Sequence, residues 1–391
     1  GVAIAGGAVW DGGTKAIADA KGIEMGGGAD VVDNSGTIVV DSDSLVAELA
    51  ASVSLTGVAG ATATSTGESK ATAIHTGSDN AVDNVINSGD LTATSKAAAV
   101  TAAVSVTNAG LAVAGGAVWD GGTKGISEAR GIYVGEGADV IDNSGEITAE
   151  STGSAVEVAA AISVSGVAAA TATSTGQSLA TAIDASEGDD TDSVINSGDL
   201  HAKSTANAAA ASVTVTNAGL AVAAGAVWDG GTKATSAGRG IDVGAGEDNI
   251  NNSGAITAES DARAAELAVS VAVTGVAGAI ATSTAESTAV GIDAGEEEID
   301  DDTVVNSGDL TVDSNALAAT ATVSVTTAGV AVAGGAAWEG GTKSNSQARG
   351  IEVGEGADNV DNSGDMTIKS NAVAAEAAVS VAVSGVAAGV A

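Results

Sequence analysis

The sequence predicts an all-β chain wound as a right-handed parallel β-solenoid, and three observations predict it. First, the chain repeats. Trp10, Trp119, Trp228 and Trp338 lie 109, 109 and 110 residues apart, each opening one phrase, from Trp10-Asp11-Gly12-Gly13-Thr14-Lys15 to Trp338-Glu339-Gly340-Gly341-Thr342-Lys343. Second, a finer period runs beneath: Asn-Ser-Gly begins at Asn34, Asn87, Asn143, Asn196, Asn252, Asn306 and Asn362, in steps of 53, 56, 53, 56, 54 and 56. Third, the apolar content of 45% is almost all Ala and Val, with 55 Gly, four Trp, one Tyr and no Phe or Pro. A fixed period of this kind marks units that bury their apolar faces only against their neighbours. Small side chains cannot fill a wide interior, so facing backbones must come close, as in silk-like flat sheets. The absence of proline leaves every ladder donor in place.

The unit is a half-repeat in two alternating flavours. The first three full repeats are 1–109, 110–218 and 219–328, split into halves 1–56 and 57–109, 110–165 and 166–218, and 219–274 and 275–328; a partial fourth covers 329–391. Each half opens on Gly-Val/Leu-Ala and passes through a small-residue run, a Gly-rich turn and an acidic loop to Asn-Ser-Gly. It closes with Ile/Leu/Met-Thr and an Ala/Val run. Only one flavour carries the tryptophan phrase. Runs such as Val104-Ser105-Val106-Thr107 and Val213-Thr214-Val215-Thr216 alternate small polar with β-branched residues and are bounded by Gly and Asn/Ser/Asp clusters, which reads as strand. The competing reading is short Ala-rich helix, as at Ala262-Arg263-Ala264-Ala265-Glu266-Leu267-Ala268. At the level of the fold, the alternative is a string of immunoglobulin-like β-sandwich domains, whose usual length matches the tryptophan period. Against it stand the likeness of the two halves, the near-absence of aromatic core residues and the lack of linkers. Two or three coils of about 18–27 residues per half-repeat would be ordinary, and one wide coil of about 54 is also open; at about 4.8 Å per coil, two or three per half give a segment about 70–105 Å long.

Fifty acidic against 13 basic residues give a formal charge of −37. Such a surface repels phosphate backbones and excludes nucleic acid as an expected partner. It keeps long rods soluble and mutually repelling. No apolar run approaches the roughly 18 residues of a membrane span, so no membrane insertion is expected in this segment. There is no cysteine to staple the chain. Both ends fall mid-phrase, so the expectation is a segment of a longer protein.

Four turns read Gly-x-Gly-x-Asp-x-apolar, with Asp30, Asp139, Asp248 and Asp358 at the acidic position. They resemble the calcium-binding nonapeptide of RTX proteins, and that resemblance implies Ca²⁺ at these four aspartates. Here, however, the phrase occurs once per long period rather than in tandem, and a plain Gly/Asp β-turn between strands is the favoured reading. The other flavour carries degenerate versions such as Gly77-Ser78-Asp79. Acidic runs at Glu187 to Asp192 and Glu296 to Asp302 read as solvated loops or weak divalent sites. Asn-Ser-Gly reads as a corner whose amides form a ladder if the coils bring them into register. The phrase Asn143 to Ala149, Asn-Ser-Gly-Glu-Ile-Thr-Ala, resembles repeats of autotransporter and filamentous-haemagglutinin-type surface proteins, which form parallel β-helices. That resemblance implies an exported bacterial adhesive or fibrous protein and transfers no catalytic residue.

The tryptophan phrase sets an aromatic beside an acid, Gly-Gly and a lysine, namely Lys15, Lys124, Lys233 and Lys343. A second basic residue follows at Lys21, Arg130, Arg239 and Arg349. The plain reading is a turn whose basic residues pair with carboxylates; the functional one is a lateral contact or sugar-stacking surface centred on Trp10, Trp119, Trp228 and Trp338. His75 and His201 are isolated, and no coil breaks the pattern as a catalytic site would. The expected function is therefore non-catalytic: a structural segment of a giant extracellular bacterial fibre or adhesin stalk at the cell surface. Its expected partner is itself, laterally or axially, or the cell surface and its polysaccharide, with no cofactor unless Ca²⁺. A calcium-rigidified adhesin module is the alternative, and an ice- or polysaccharide-binding face is less favoured.

Overall fold

The computed structural model describes residues 2–6, 13–77, 79–115, 122–225, 231–295, 300–335 and 341–391. They form a parallel β-solenoid without helix, in three sheets. One coil is represented by the strands Ser65–His75, Asn84–Asn87 and Leu91–Gly115, of 11, 4 and 25 residues. Each pairs in parallel with its equivalents in the coils before and after. The strands therefore build a middle, a narrow and a wide sheet. Every pairing between described strands is parallel, which removes the tandem-sandwich alternative. Ala262–Ala268 continues without a break through the strand Ile256–Ile280, because cross-coil pairing on both edges outweighs the helix propensity of alanine.

One coil consumes a whole half-repeat. Of the coil counts left open by the sequence, the single wide coil is the one found: with seven wide strands of 25 residues in line, the stack is about 30–35 Å tall at about 4.8 Å per coil, not the 70–105 Å of two or three coils per half. Each tryptophan period is a pair of coils. Chain length has gone into width, because the 25-residue run supplies one long strand where shorter coils would have turned.

The long strand doubles back near its end. Ser324 Oγ donates to the carbonyl of Val332, eight residues on, and Ser380 does the same to Ala388. The fold-back sits at Gly57, Gly110, Gly166, Gly219, Gly275, Gly329 and Gly385, all at positive φ. These are the glycines that open the half-repeats. At Gly219 φ is +137°, and a Cβ would stand 1.8 Å from the carbonyl oxygen of Gly166 in the adjacent coil. Gly219→Ala is expected to cost more than about 3 kcal/mol, since left-handed strain and a backbone clash add. Gly278→Ala, with nothing within 4 Å of its Cβ position, should stay within about 0.5 kcal/mol. Chemical denaturation of the two variants checks the contrast, and equal losses would contradict this account of the corner.

The interior has two regions. Near Asn-Ser-Gly, Ile, Leu and Val from all three sheets pack together, including Ile74, Leu91, Ile132, Ile141 and Ile147, all at most 1% exposed. Beyond it the wide and middle sheets face each other mostly across Ala, Ser and Thr, with a buried glutamate in alternate coils. Ser42 and Ser69, Ser95 and Ser127, and Ser151 and Ser178 meet hydroxyl to hydroxyl at 2.9, 2.8 and 2.8 Å. Such contacts require sheets closer than the usual ~10 Å, as the small-residue composition predicts. The alternation of the wide strands is inverted here. Where the wide strand faces its own folded-back limb, Ser105 and Thr107 point inward, Ser105 Oγ donating to the Ala59 carbonyl at 2.7 Å, and Val104 and Val106 point outward; valine is too large between limbs this close. The outer face of the wide sheet is consequently apolar, with Leu49, Val53, Val158, Ile162, Leu267 and Val381 all exposed.

Candidate functional site

The corner at Asn-Ser-Gly carries two axial ladders. Asn143 donates through Nδ2 to Asn196 Oδ1 in the next coil, at 2.7 Å, and to the carbonyl of Gly145 in its own turn, at 2.9 Å. The same pair of bonds recurs at Asn34, Asn87, Asn196, Asn252 and Asn306, every axial bond being 2.7 Å. The expected amide ladder is present. Both amide hydrogens are used, one to close the turn and one to join the coils, which is why Asn rather than Asp or Ser suits the position.

Four residues before each of these asparagines lies an aspartate, and these too are in register. The amide of Asp139 donates to Asp192 Oδ1 at 2.7 Å, that of Asp192 to Asp248 at 2.7 Å and that of Asp248 to Asp302 at 2.9 Å. Asp30, Asp83 and Asp358 extend the row at both ends. Asp139, Asp192 and Asp248 are at most 3% exposed. Burial raises the Asp139 carboxyl to about 7, against the backbone bond from Asp83 and reinforced by the charges of Asp83, Asp190 and Asp79. Asp192 and Asp248 are pushed to about 8 for the same reason, each further raised by the next aspartate in the row. Oδ2 of Asp30, Asp139 and Asp248 has no hydrogen-bond partner among the described residues.

The four aspartates singled out for calcium are thus alternate rungs of one seven-rung ladder. Sequence reasoning missed Asp83, taking Asp79 as a counterpart instead, and placed Asp192 and Asp302 at the ends of acidic runs read as solvated loops; both are 3% exposed rungs, whereas Asp79 accepts a bond from the Gly28 amide at 2.8 Å and is not a rung. The signal was available, since Asp-x-Val/Ile-x-Asn-Ser-Gly occurs in all seven half-repeats. Of the acidic runs, 296–299 lie outside the described residues, while Asp302 is a rung.

Trp10, Trp119, Trp228 and Trp338 lie outside the described residues. The lysines that follow are on the outer face of the middle sheet. Lys15 pairs with Glu68 at 2.8 Å and Lys233 with Glu286 at 3.0 Å, each across adjacent coils. Lys124 and Lys343 hold the equivalent register, Lys124 against Thr66 and Lys343 against Thr284. Further along, Arg130 bridges Glu128 at 2.6 Å and Asp184 at 2.8 Å and lies over the Tyr133 ring, which stacks on His75. Lys21 pairs with Glu24, Arg239 with Asp242 and Arg349 with Glu352. Six of these eight basic residues therefore pair with carboxylates within or between coils.

The alternation has an inner counterpart that sequence reasoning missed. Glu48, Glu157, Glu266 and Glu376 recur at the same 109, 109 and 110 residues as the tryptophans. They point inward from the wide sheet, in register with Thr101, Ala210 and Thr320 of the other flavour. Glu157 is fully buried; its Oε2 accepts from the amide and hydroxyl of Thr123, at 3.1 and 3.2 Å. Glu266 accepts from the Thr232 amide at 3.1 Å, and burial raises its carboxyl to about 8. These threonines begin the middle-sheet strands Thr123–Tyr133 and Thr232–Asp242, so each buried glutamate anchors the start of one of those strands. Where the tryptophan phrase is missing, Ser65 and Thr101 meet hydroxyl to hydroxyl at 2.7 Å instead.

No protein-family model, curated protein or solved structure matches the chain.

Proposed function

We propose that this chain is a structural, non-catalytic segment of an extracellular bacterial fibre or adhesin stalk. The observation that carries the reading is the continuity of three axial ladders, of backbone, asparagine and aspartate, through successive coils. A pull along the axis loads backbone hydrogen bonds in parallel across about 40 strand residues per coil, the sum of the 25-, 11- and 4-residue strands. Surface acids keep the segments soluble. Electron microscopy of the segment tests this: particles of constant cross-section, growing about 4.8 Å per half-repeat as repeats are added, are expected. Beads spaced once per 109 residues would overturn it.

One observation favours the second reading, a calcium-rigidified adhesin module. The orphaned Oδ2 atoms of Asp139 and Asp248 are hard donors suited to Ca²⁺. At pH 8, where the row is losing its protons, millimolar Ca²⁺ would then raise the thermal midpoint and EDTA would reverse it. Indifference to both leaves protons alone to neutralise the row.

A further inference from the structure

Four adjacent columns on the outer face of the wide sheet begin in its first full strand at Ala47, Leu49, Ala51 and Val53 and run through seven strands. All 28 positions are Ala, Val, Leu or Ile, in a chain whose net charge is −37. At about 6.8 Å between columns and about 4.8 Å between coils, the patch covers about 900 Å². Monomers rarely expose more than about 300–600 Å² of contiguous apolar surface, and a stable interface uses about 800 Å² per partner.

We propose that this face packs against the same face of a second copy of the chain, the two solenoids lying side by side and running in the same direction. The proposal rests on the reading of the chain as a stacked solenoid and adds the partner and its orientation. Two copies can meet face to face through a two-fold axis along the solenoid or across it. An axis along the solenoid, between the second and third columns, sets the first column against the partner's fourth and the second against its third, coil for coil. Side-chain sizes suit that pairing. Leu49 meets Ala51, Ala102 meets Val104, Val158 meets Ala160 and Ala211 meets Val213; in these two central columns only Leu267 and Val269 place large against large. The first column is mostly Ala, as at Ala209 and Ala265, and the fourth is Val or Ile throughout. Large against small is how apolar faces interdigitate without voids.

The flank beyond the first column is charged but mixed in sign: Asp41, Asp43, Glu150, Glu259, Asp261 and Asp313 share its two columns with Lys96, Lys203 and Lys369. Side-chain size therefore selects the axis: an axis across the solenoid would set the all-Val/Ile fourth column on itself, large against large throughout.

Light scattering on the 391-residue chain should give a dimer at micromolar concentration. Val215→Lys with Val271→Lys should give a monomer with unchanged circular dichroism and thermal midpoint, since both side chains point outward. The chain has no cysteine, so orientation can be read by cross-linking. Oxidising a mixture of Ala209→Cys and Val215→Cys chains should yield a mixed disulfide dimer, while neither chain alone cross-links. A monomeric wild type, association that survives the lysines, or an Ala209→Cys homodimer overturns the proposal. So does a monomer that co-sediments with neutral phosphatidylcholine vesicles, which would make the face lipid-binding. Micrographs of the same samples separate the two readings: single slabs of constant cross-section defeat the pairing alone, and beads defeat both.

Discussion

Raising the pH from 5 to 9 will destabilise this protein. Asp139 is held at about 7, Asp192, Asp248 and Glu266 at about 8 and Asp302 at about 6, all above the ordinary carboxyl range and all chiefly because they are buried. In the unfolded chain the same groups release their protons near pH 4. Between pH 4 and 8 the folded state therefore binds more protons than the unfolded one, and stability falls as pH rises. The stabilisation is complete below about pH 4, drains away as the pH climbs through the folded values of about 6 to 8, and the profile is flat above them. Each tenfold difference in proton affinity between the folded and unfolded states is worth about 1.4 kcal/mol, and the coupled rungs share the effect, so a combined loss of at least about 5 kcal/mol is expected. The thermal midpoint should drop by on the order of 10 °C. General repulsion within a chain of charge −37 acts in the same direction, so variants must separate the two. Asp192→Asn with Asp248→Asn should flatten the profile, whereas Asp142→Asn with Asp189→Asn, which remove equal charge from exposed positions, should leave its slope intact. A midpoint that climbs from pH 5 to 9, or equal flattening by both pairs, would refute the ladder as the cause.

Asn196→Ala is expected to cost about 3–6 kcal/mol, because it strands two buried partners as well as losing its own bonds. Asn196 donates to Gly198 at 2.8 Å and to Asn252 at 2.7 Å, and accepts from Asn143 at 2.7 Å. In the variant the Asn143 donor and the Asn252 acceptor stay buried with no replacement. A repeat protein couples only nearest neighbours, so a break in the middle rung should split unfolding into two steps. Asn34→Ala, at the end of the described ladder, strands one partner and should cost about 1–2 kcal/mol. Denaturation monitored with amide exchange at the corner distinguishes the two. Similar losses at Asn34 and Asn196 would show that the ladder is not cooperative.

The asparagine ladder was legible because its motif recurs unchanged and its chemistry admits little else. The aspartate ladder was legible only in part. Asp30 and Asp139 drew notice through the glycines around them, while Asp83 and Asp192 sit in loops of different sequence; the constant spacing to Asn-Ser-Gly joins them, and composition hid it. Glu157 and Glu266 were not seen, since an acid in an Ala/Val run reads as a solvent-facing position until the register places it inward. The sense of the Val-Ser-Val strands was equally closed to a one-strand reading. Alternation says that two faces differ; which face is inside depends on the width of the gap between sheets.

Residue type and spacing along one chain were enough to establish the period, the all-β parallel construction, the close approach of backbones and the amide corner. Three further properties emerged only from the folded coils: one half-repeat makes one wide coil, aspartates of both flavours share one buried row, and valine faces out while serine faces in. These are properties of contacts between segments roughly fifty residues apart, where register and the distance between facing sheets set what is buried, and local sequence encodes neither quantity.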